Sequence, residues 1–179
     1  MKIYLIRHGM TQANLNKLYC GSTDLPLADQ GREALKTLSY EVGEADFVTS
    51  GMIRTEQTLE LLFGPVPHRV EPGFREIDYG AFEMKSYEML KSDPEYQAWL
   101  AGDNMANTPP GGESGIAMAE RAVTAFHALE RDTVVISHGG VIAAIMASLF
   151  PEEDRSRYSW QPKPGYGYCV EDGSYHTIP

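Results

Sequence analysis

Two short apolar runs constrain this chain more than any other feature. Ile3-Tyr4-Leu5-Ile6-Arg7-His8-Gly9 stands near the start and Val134-Val135-Ile136-Ser137-His138-Gly139-Gly140 near the end. Each run stops at a histidine followed by glycine, and each precedes a helical stretch. Continuous apolar runs of this length read as strands buried on both faces, the kind found in parallel sheets. Parallel strands of one sheet end on the same edge. His8 and His138 are therefore predicted to meet there, beside helix N-termini that favour anions.

The remaining punctuation gives the expected order of elements. After a strand over 2–6 come a short helix over 11–18, a loop at 20–27 and a helix from Asp29 towards Val42. A strand over 46–49, a helix over 52–63 and a further strand over 67–71 follow. Residues 84–101 read as helices broken at Asp93-Pro94. A long helix spans 114–131, then a strand 133–136 and a helix 140–149. The tail, 166–170 and 175–178 around Asp172-Gly173, reads as a β-hairpin. Strands alternating with helices imply a three-layer α/β/α sandwich with a mostly parallel central sheet, a small helical cap and a C-terminal hairpin. The expected organisation is one domain over 1–179, with 77–113 as a short cap insertion.

Composition narrows the partners. A formal charge of −10 over 179 residues argues against nucleic acid or an anionic membrane surface. Any anion site must then rest on a local positive field. The two cysteines, Cys20 and Cys169, lack metal or redox spacing and read as free thiols of a cytoplasmic protein, a monomer or a homodimer. The first strand begins at once, leaving no signal peptide, and no apolar run is long enough for a membrane span.

Four segments share one grammar, a strand followed by polar residues and then glycine or helix. They are Arg7-His8-Gly9, Thr49-Ser50-Gly51-Met52-Ile53-Arg54, Arg75-Glu76-Ile77-Asp78-Tyr79-Gly80 and Ser137-His138-Gly139. They bring two arginines, two histidines and a carboxylate to the sheet edge where ligands of open α/β sheets bind. Paired guanidiniums suit a phosphate. A neutral imidazole can attack phosphorus once those cations offset the oxygens' charge. A carboxyl group can protonate the departing alkoxide and then take a proton from water.

These residues resemble a known signature. Arg7-His8-Gly9-Met10-Thr11 with Asn14, Gly21, Leu25-Pro26-Leu27, Gly31 and Ala34 is similar to the opening of the histidine phosphatase superfamily, in its phosphoglycerate mutase-like branch. The likeness continues through Ser50 to Thr58, Arg75 to Glu83, Gly112-Glu113-Ser114 and Ser137 to Gly140 in the family's order. The resemblance implies a phosphoglycerate mutase-like fold and a phosphohistidine mechanism without metal or organic cofactor. It makes His8 the nucleophile and Glu76 the acid and base. Arg7, Arg54 and His138 become the holders of the phosphoryl oxygens, with Asn14, Thr11, Gly21 and Gly139 as further substrate contacts. Many relatives carry glutamate where Met10 stands and glycine where Met84 stands.

Other readings of the same residues stand beside these. Arg54 fits an exposed helix position pairing with Glu56 or Glu60, and Asp78 and Glu83 compete with Glu76. His68, His127 and His176 read as surface or packing residues, and Glu113 as an aid to the cap of the long helix. The stretch from Ile77 to Glu113 is acidic, with a balance of −5, and aromatic at Tyr79, Phe82, Tyr87, Tyr96 and Trp99. It therefore points to a phosphatase for a small monoester whose remainder is neutral, aromatic or cationic. α-Ribazole phosphate is the candidate suggested by a similar small branch of the superfamily. A mutase and a catalytically idle binder of phosphorylated ligands are the alternatives.

Overall fold

The computed structural model describes residues 1–153 and 155–179. Its six strands run β1 (Lys2–Arg7), β2 (Asp46–Thr49), β3 (Arg69–Val70), β4 (Thr133–Ser137), β5 (Gly167–Glu171) and β6 (Ser174–Ile178). They lie side by side in the order β3-β2-β4-β1-β5-β6. The first four are mutually parallel; β5 and β6 add an antiparallel edge. β4 is buried along its whole length, as its unbroken apolar run requires. β1 and β4 pair from Ile3 opposite Thr133 to Arg7 opposite Ser137. The residues that follow, His8 and His138, therefore leave the sheet together.

Side chains alternate between two faces with the strand period of two. Leu5 and Val135 join Phe74, Met118, Phe126, Ile142 and Trp160 on the side covered by α6 (Gly115–His127) and α7 (Gly139–Leu149). Ile6, Val134 and Ile136 join Leu59 on the side of α3 (Ile53–Phe63), with α2 (Asp29–Leu35) packed against that helix. The third layer of the sandwich is thus present. Among the described residues no helix is long and apolar enough to cross a membrane.

Between Ile77 and Glu113 two short helices, α4 (Tyr87–Leu90) and α5 (Pro94–Leu100), pack on a separate apolar cluster of Phe82, Leu90 and Tyr96. The first ends at Leu90 with Lys91 as its C-cap, and Asp93 starts the second. Its carboxylate accepts the N–H groups of Glu95 and Tyr96, and Pro94 occupies the first helical position, where a missing N–H is harmless. Phe74, Phe82 and Tyr96 are core, Tyr87 is exposed, and Tyr79 and Trp99 are half-buried beside Tyr19. The tail turns at Asp172 and Gly173, both left-handed (φ 49° and 76°), as a two-residue hairpin turn demands.

Several elements are shorter than their patterns predict: the helix over 11–18 is Gln12–Leu15, the strand over 67–71 is Arg69–Val70, and two longer helices also end early. The helix from Asp29 ends at Leu35 rather than near Val42. There the Thr37 hydroxyl takes the Ala34 carbonyl, and the Tyr40 hydroxyl donates to the Gly165 carbonyl, drawing the chain away from the helix axis. The long helix closes at His127. Met84 has a left-handed backbone (φ 59°), which explains glycine at that place in relatives, since glycine alone adopts it without a Cβ penalty.

Gly167 shows how tightly β1 and β5 meet. A Cβ there would lie 1.8 Å from the Leu5 carbonyl oxygen, a backbone atom that cannot step aside. Gly167→Ala is expected to destabilise the fold by about 2–3 kcal/mol, read as a lower urea midpoint with an unchanged slope.

Candidate active site

The β1–β4 register sets the geometry. His8 N–H donates to the Ser137 carbonyl at 2.9 Å, and the His8 and His138 rings stand edge to face with centroids 5.1 Å apart. The predicted meeting of the two histidines is what the fold produces. Both are almost wholly buried, at 5% and 0% exposure.

Their partners fix the tautomers. His8 Nδ1 lies 2.6 Å from the Gly9 carbonyl oxygen. A carbonyl only accepts, so Nδ1 carries the proton and Nε2 keeps its lone pair. His138 is arranged the opposite way. Arg54 Nε donates to its Nδ1 at 3.3 Å, so His138 Nε2 donates to Ser50 Oγ at 2.8 Å. Ser50 passes its own proton to Thr55 Oγ1, which donates to the Met52 carbonyl. Burial, reinforced by Arg54 and Arg7, holds the His8 imidazole well below its usual pKa. Burial, His8 and then Arg54 do the same to His138. Both rings are neutral at pH 7.

Arg54 is 1% exposed, so the reading of it as an exposed helix residue is excluded. Its fork donates to the carbonyls of Thr23 (3.0 Å) and Gly21 (2.8 Å) as well as to His138. Arg7 donates to the Pro162 carbonyl at 2.9 Å, while its Nε is buried without a partner among the described residues. Its guanidinium lies over Gly139, where a Cβ would come within 3.0 Å of Cζ. Carbonyl dipoles, with His138 for Arg54, hold both cations, so among the described residues neither charge is neutralised by an ion pair. Burial lowers both guanidinium pKa values, and both remain charged.

Glu76 is anchored by two backbone amides. Oε1 accepts from Ile77 N–H and Oε2 from Gly140 N–H, each at 3.0 Å. The second amide belongs to the first turn of α7, and a Cβ at Gly140 would lie 2.6 Å from Oε1. Arg121 secures the segment from outside, donating to the carbonyls of Gly73, Arg75 and Glu76 while its fork grips Glu113 with two contacts of 2.7 Å. Glu113 is thus the partner of Arg121. The cap of α6 is Ser114, whose hydroxyl accepts from Ala117 N–H.

The competing carboxylates have other employment. Asp78 accepts from the Ser22 hydroxyl and Gly80 N–H. Glu83 accepts from the N–H groups of Gly21, Ser22, Thr23 and Tyr79 and from the Thr23 hydroxyl. It clamps the very loop whose carbonyls hold Arg54. Gly21 consequently has neither group to spare, with its N–H on Glu83 and its carbonyl on Arg54. A Cβ at Gly21 would sit 1.6 Å from the Ile77 carbonyl oxygen, so the residue is required for close approach. Thr11 caps α1 (Gln12–Leu15) through a reciprocal capping box with Asn14. The Thr11 hydroxyl is occupied in both directions, and Asn14 retains only its Nδ2 as a free side-chain donor. Gly139 opens α7, at a position whose N–H the helix does not use. His68, read as a surface or packing residue, is exposed and lies 2.7 Å from Glu56.

Sequence reasoning missed the supporting shell of Glu83, Arg121, Ser50, Thr55 and Thr58. Thr58 takes Gly9 N–H on its hydroxyl and returns a bond to the Arg54 carbonyl. One signal was available for part of it: Arg54, Thr55 and Thr58 stand at helical spacing on one face of α3, the face that also carries the buried Leu59.

Two outcomes follow from this geometry. Glu83→Ala releases the 21–23 loop and with it Arg54; a displacement near 1 Å costs on the order of 10²-fold in kcat/KM. Circular dichroism and the melting profile should show the variant still folded. For the histidines, depressed folded-state pKa values mean that the unfolded chain binds the extra protons. Their contribution to stability is present above pH ~6.5 and is lost as pH falls below it. Imidazole ¹⁵N shifts of the free protein should show His8 and His138 unprotonated at pH 6.5, with the unfolding midpoint falling on further acidification.

Comparison with known proteins agrees with this geometry. The sequence model of the histidine phosphatase superfamily (branch 1) matches residues 3–165. The adenosylcobalamin/alpha-ribazole phosphatase of Escherichia coli K12 is 31% identical over 161 residues, covering 83% of this chain and 79% of that protein. Its Salmonella typhimurium counterpart is 28% identical, covering 96% and 90%. The crystal structure of phosphoglycerate mutase from Thermus thermophilus superposes with a TM-score of 0.79 at 32% identity, covering 96% of this chain and 93% of that one. With the signature, the fold and the clustered histidines and arginines in agreement, this chain belongs to the histidine phosphatase superfamily and is a phosphatase.

Proposed function

We propose that this protein is a metal-independent phosphomonoesterase that works through a phosphohistidine at His8 on a small phosphate monoester. One observation carries the reading. His8 Nδ1 is tied to the Gly9 carbonyl, which leaves Nε2 as a neutral nucleophile beside two arginines held by carbonyls and, for Arg54, by His138, with no carboxylate partner among the described residues.

In the first step His8 Nε2 attacks phosphorus and the ester P–O bond breaks. The electron pair goes to the alcohol oxygen, which takes the proton of Glu76 in its acid form. Arg7 and Arg54 hold the phosphoryl oxygens through the loose transition state, where positioning and electrostatics supply most of the catalysis. His138, expected from the resemblance to join them, has both ring nitrogens engaged by Arg54 and Ser50 and acts by positioning Arg54. Asn14 Nδ2 and Gly139 N–H are proposed as further donors, whereas Thr11 and Gly21 act by shaping the walls. In the second step the Glu76 carboxylate accepts a proton from water as that water attacks phosphorus. The N–P bond breaks, its pair returns to Nε2, and phosphate leaves. The positive charge that a phosphoryl group needs comes from the guanidiniums.

The alcohol portion lies towards the cap, residues 77–113. α-Ribazole phosphate is the first substrate to try, because the Escherichia coli and Salmonella relatives bear that name. The unbridged Cys20 and Cys169 and the net charge of −10 accord with a cytoplasmic enzyme for small molecules rather than nucleic acid.

Phosphate release from phenyl phosphate in EDTA at pH 6–7 is expected for the wild type, with loss of at least about 10³-fold in His8→Ala. Acid quench of the wild type should trap an acid-labile phosphohistidine. Interconversion of phosphoglycerates without net phosphate release would replace this reading with a mutase.

A further inference from the structure

Beside Glu76 the surface sinks into a cavity of ≈ 160 Å³ with walls that include Tyr19, Tyr79, Trp99 and Tyr158. Ile77 and Gly140 also line it, and these are the residues whose N–H groups hold the Glu76 carboxylate. Tyr79 senses the same group: burial first and Glu76 second raise its phenol pKa. The cavity therefore adjoins the side chain proposed to meet the ester oxygen. Its volume admits one ring, since a cavity of about 150 Å³ holds benzene.

Its polar atoms are unusual. Trp99 Nε1 and Arg157 Nη1 are buried and have no hydrogen-bond partner among the described residues, and both side chains line this cavity. Buried donors without partners are rare enough to require a reason. The other arm of the Arg157 fork is already held: Nη2 donates to the Tyr158 hydroxyl at 3.5 Å, and the guanidinium lies 5.1 Å over that ring. Asn104 donates to the same hydroxyl at 3.4 Å. None of the described lining residues is acidic, in a chain whose cap is otherwise rich in acids.

Glu76 itself lines the neighbouring depression, with Ser22, Arg75, Asp78, Glu113 and Arg121, but that depression offers no such vacancy. Arg121 and Glu113 pair with each other, Asp78 holds Ser22 and Gly80, and Arg75 donates to the Ser50 carbonyl.

We infer that the Trp99–Arg157 cavity binds the alcohol portion of the substrate and selects a planar, ring-sized group bearing a hydrogen-bond acceptor. The inference rests on the phosphatase reading and adds the substrate class. The aromatic walls stack the ring. The acceptor, a carbonyl, carboxylate or ring nitrogen, receives the N–H groups of Trp99 and Arg157. A cationic group is rejected, because Arg157 repels it and no lining carboxylate compensates. The sequence-based expectation of a neutral, aromatic or cationic remainder is narrowed accordingly. The deciding residue, Arg157, lies outside the acidic 77–113 stretch on which that expectation was based.

The test compares phenyl phosphate with 4-acetylphenyl phosphate, whose difference in intrinsic reactivity is common to every variant. Trp99→Phe keeps the ring and removes only the N–H; Arg157→Met keeps the stem and removes the donors. Each should lower the ratio of kcat/KM values, acetylphenyl over phenyl, by about tenfold. Equal losses on both substrates, leaving the ratio unchanged, would overturn the inference and leave the phosphatase reading intact. Calorimetric binding of the free alcohols is the second arm. 4-Hydroxyacetophenone should bind the wild type about tenfold more tightly than phenol, with the difference lost in Trp99→Phe. If the wild type hydrolyses neither ester but shows that binding difference, the phosphatase reading fails and the cavity assignment stands. Equal binding of the two alcohols refutes the assignment.

Discussion

The parallel pairing of β1 with β4 is the constraint on which the site depends. With Arg7 opposite Ser137, the two chains leave the sheet at one level and His8 meets His138 across a single backbone hydrogen bond. A slip of one residue would exchange the faces of the strand and carry the apolar side chains of Leu5 and Ile6 into each other's layers. The buried alternation of Leu5 and Val135 on one face, with Ile6 and Ile136 on the other, therefore fixes the register. Core packing and active-site geometry are consequences of one arrangement, so neither can drift without the other.

The site resolves a conflict between burial and charge. Two arginines and two histidines are withdrawn from water in a chain of net charge −10. Pairing the arginines with carboxylates would satisfy them and weaken the field an anion needs. Backbone carbonyls of Gly21, Thr23 and Pro162 hold them instead. The nearby carboxylates serve backbone amides: Glu83 binds the loop that carries those carbonyls, and Glu76 binds Ile77 and Gly140. Negative charge thus builds the frame, and positive charge is left for the substrate. Neutral histidines suit the same arrangement, since a protonated His8 would add a further buried positive charge beside Arg54 and Arg7.

Much of this was legible in the chain. The strand endings, the four polar segments and the hairpin turn at Asp172-Gly173 each carry a local signal, and the structure places them as read. The helix after Asp29 misled because its apolar spacing continues past Leu35, while the hydroxyls of Thr37 and Tyr40 find partners that only the folded chain supplies. Arg54, open to reading as a surface residue, is buried because the 21–23 loop folds back over it. The choice of Glu76 over Asp78 and Glu83 rested on the family resemblance alone, for all three lie within one polar stretch and differ only in which donors they meet.

By itself, the sequence determined the sheet edge at which chemistry gathers and the residue types that gather there, because apolar periodicity and strand endings are local properties. Tertiary structure alone decided which nitrogen of each histidine carries the proton, which carboxylate is held by Ile77 and Gly140 and which clamps a loop. It also brought Arg157 and Trp99, 58 residues apart in the chain, to one cavity with donors unmet. Hydrogen-bond partners across such separations are set by packing of the whole fold, and no local pattern encodes them.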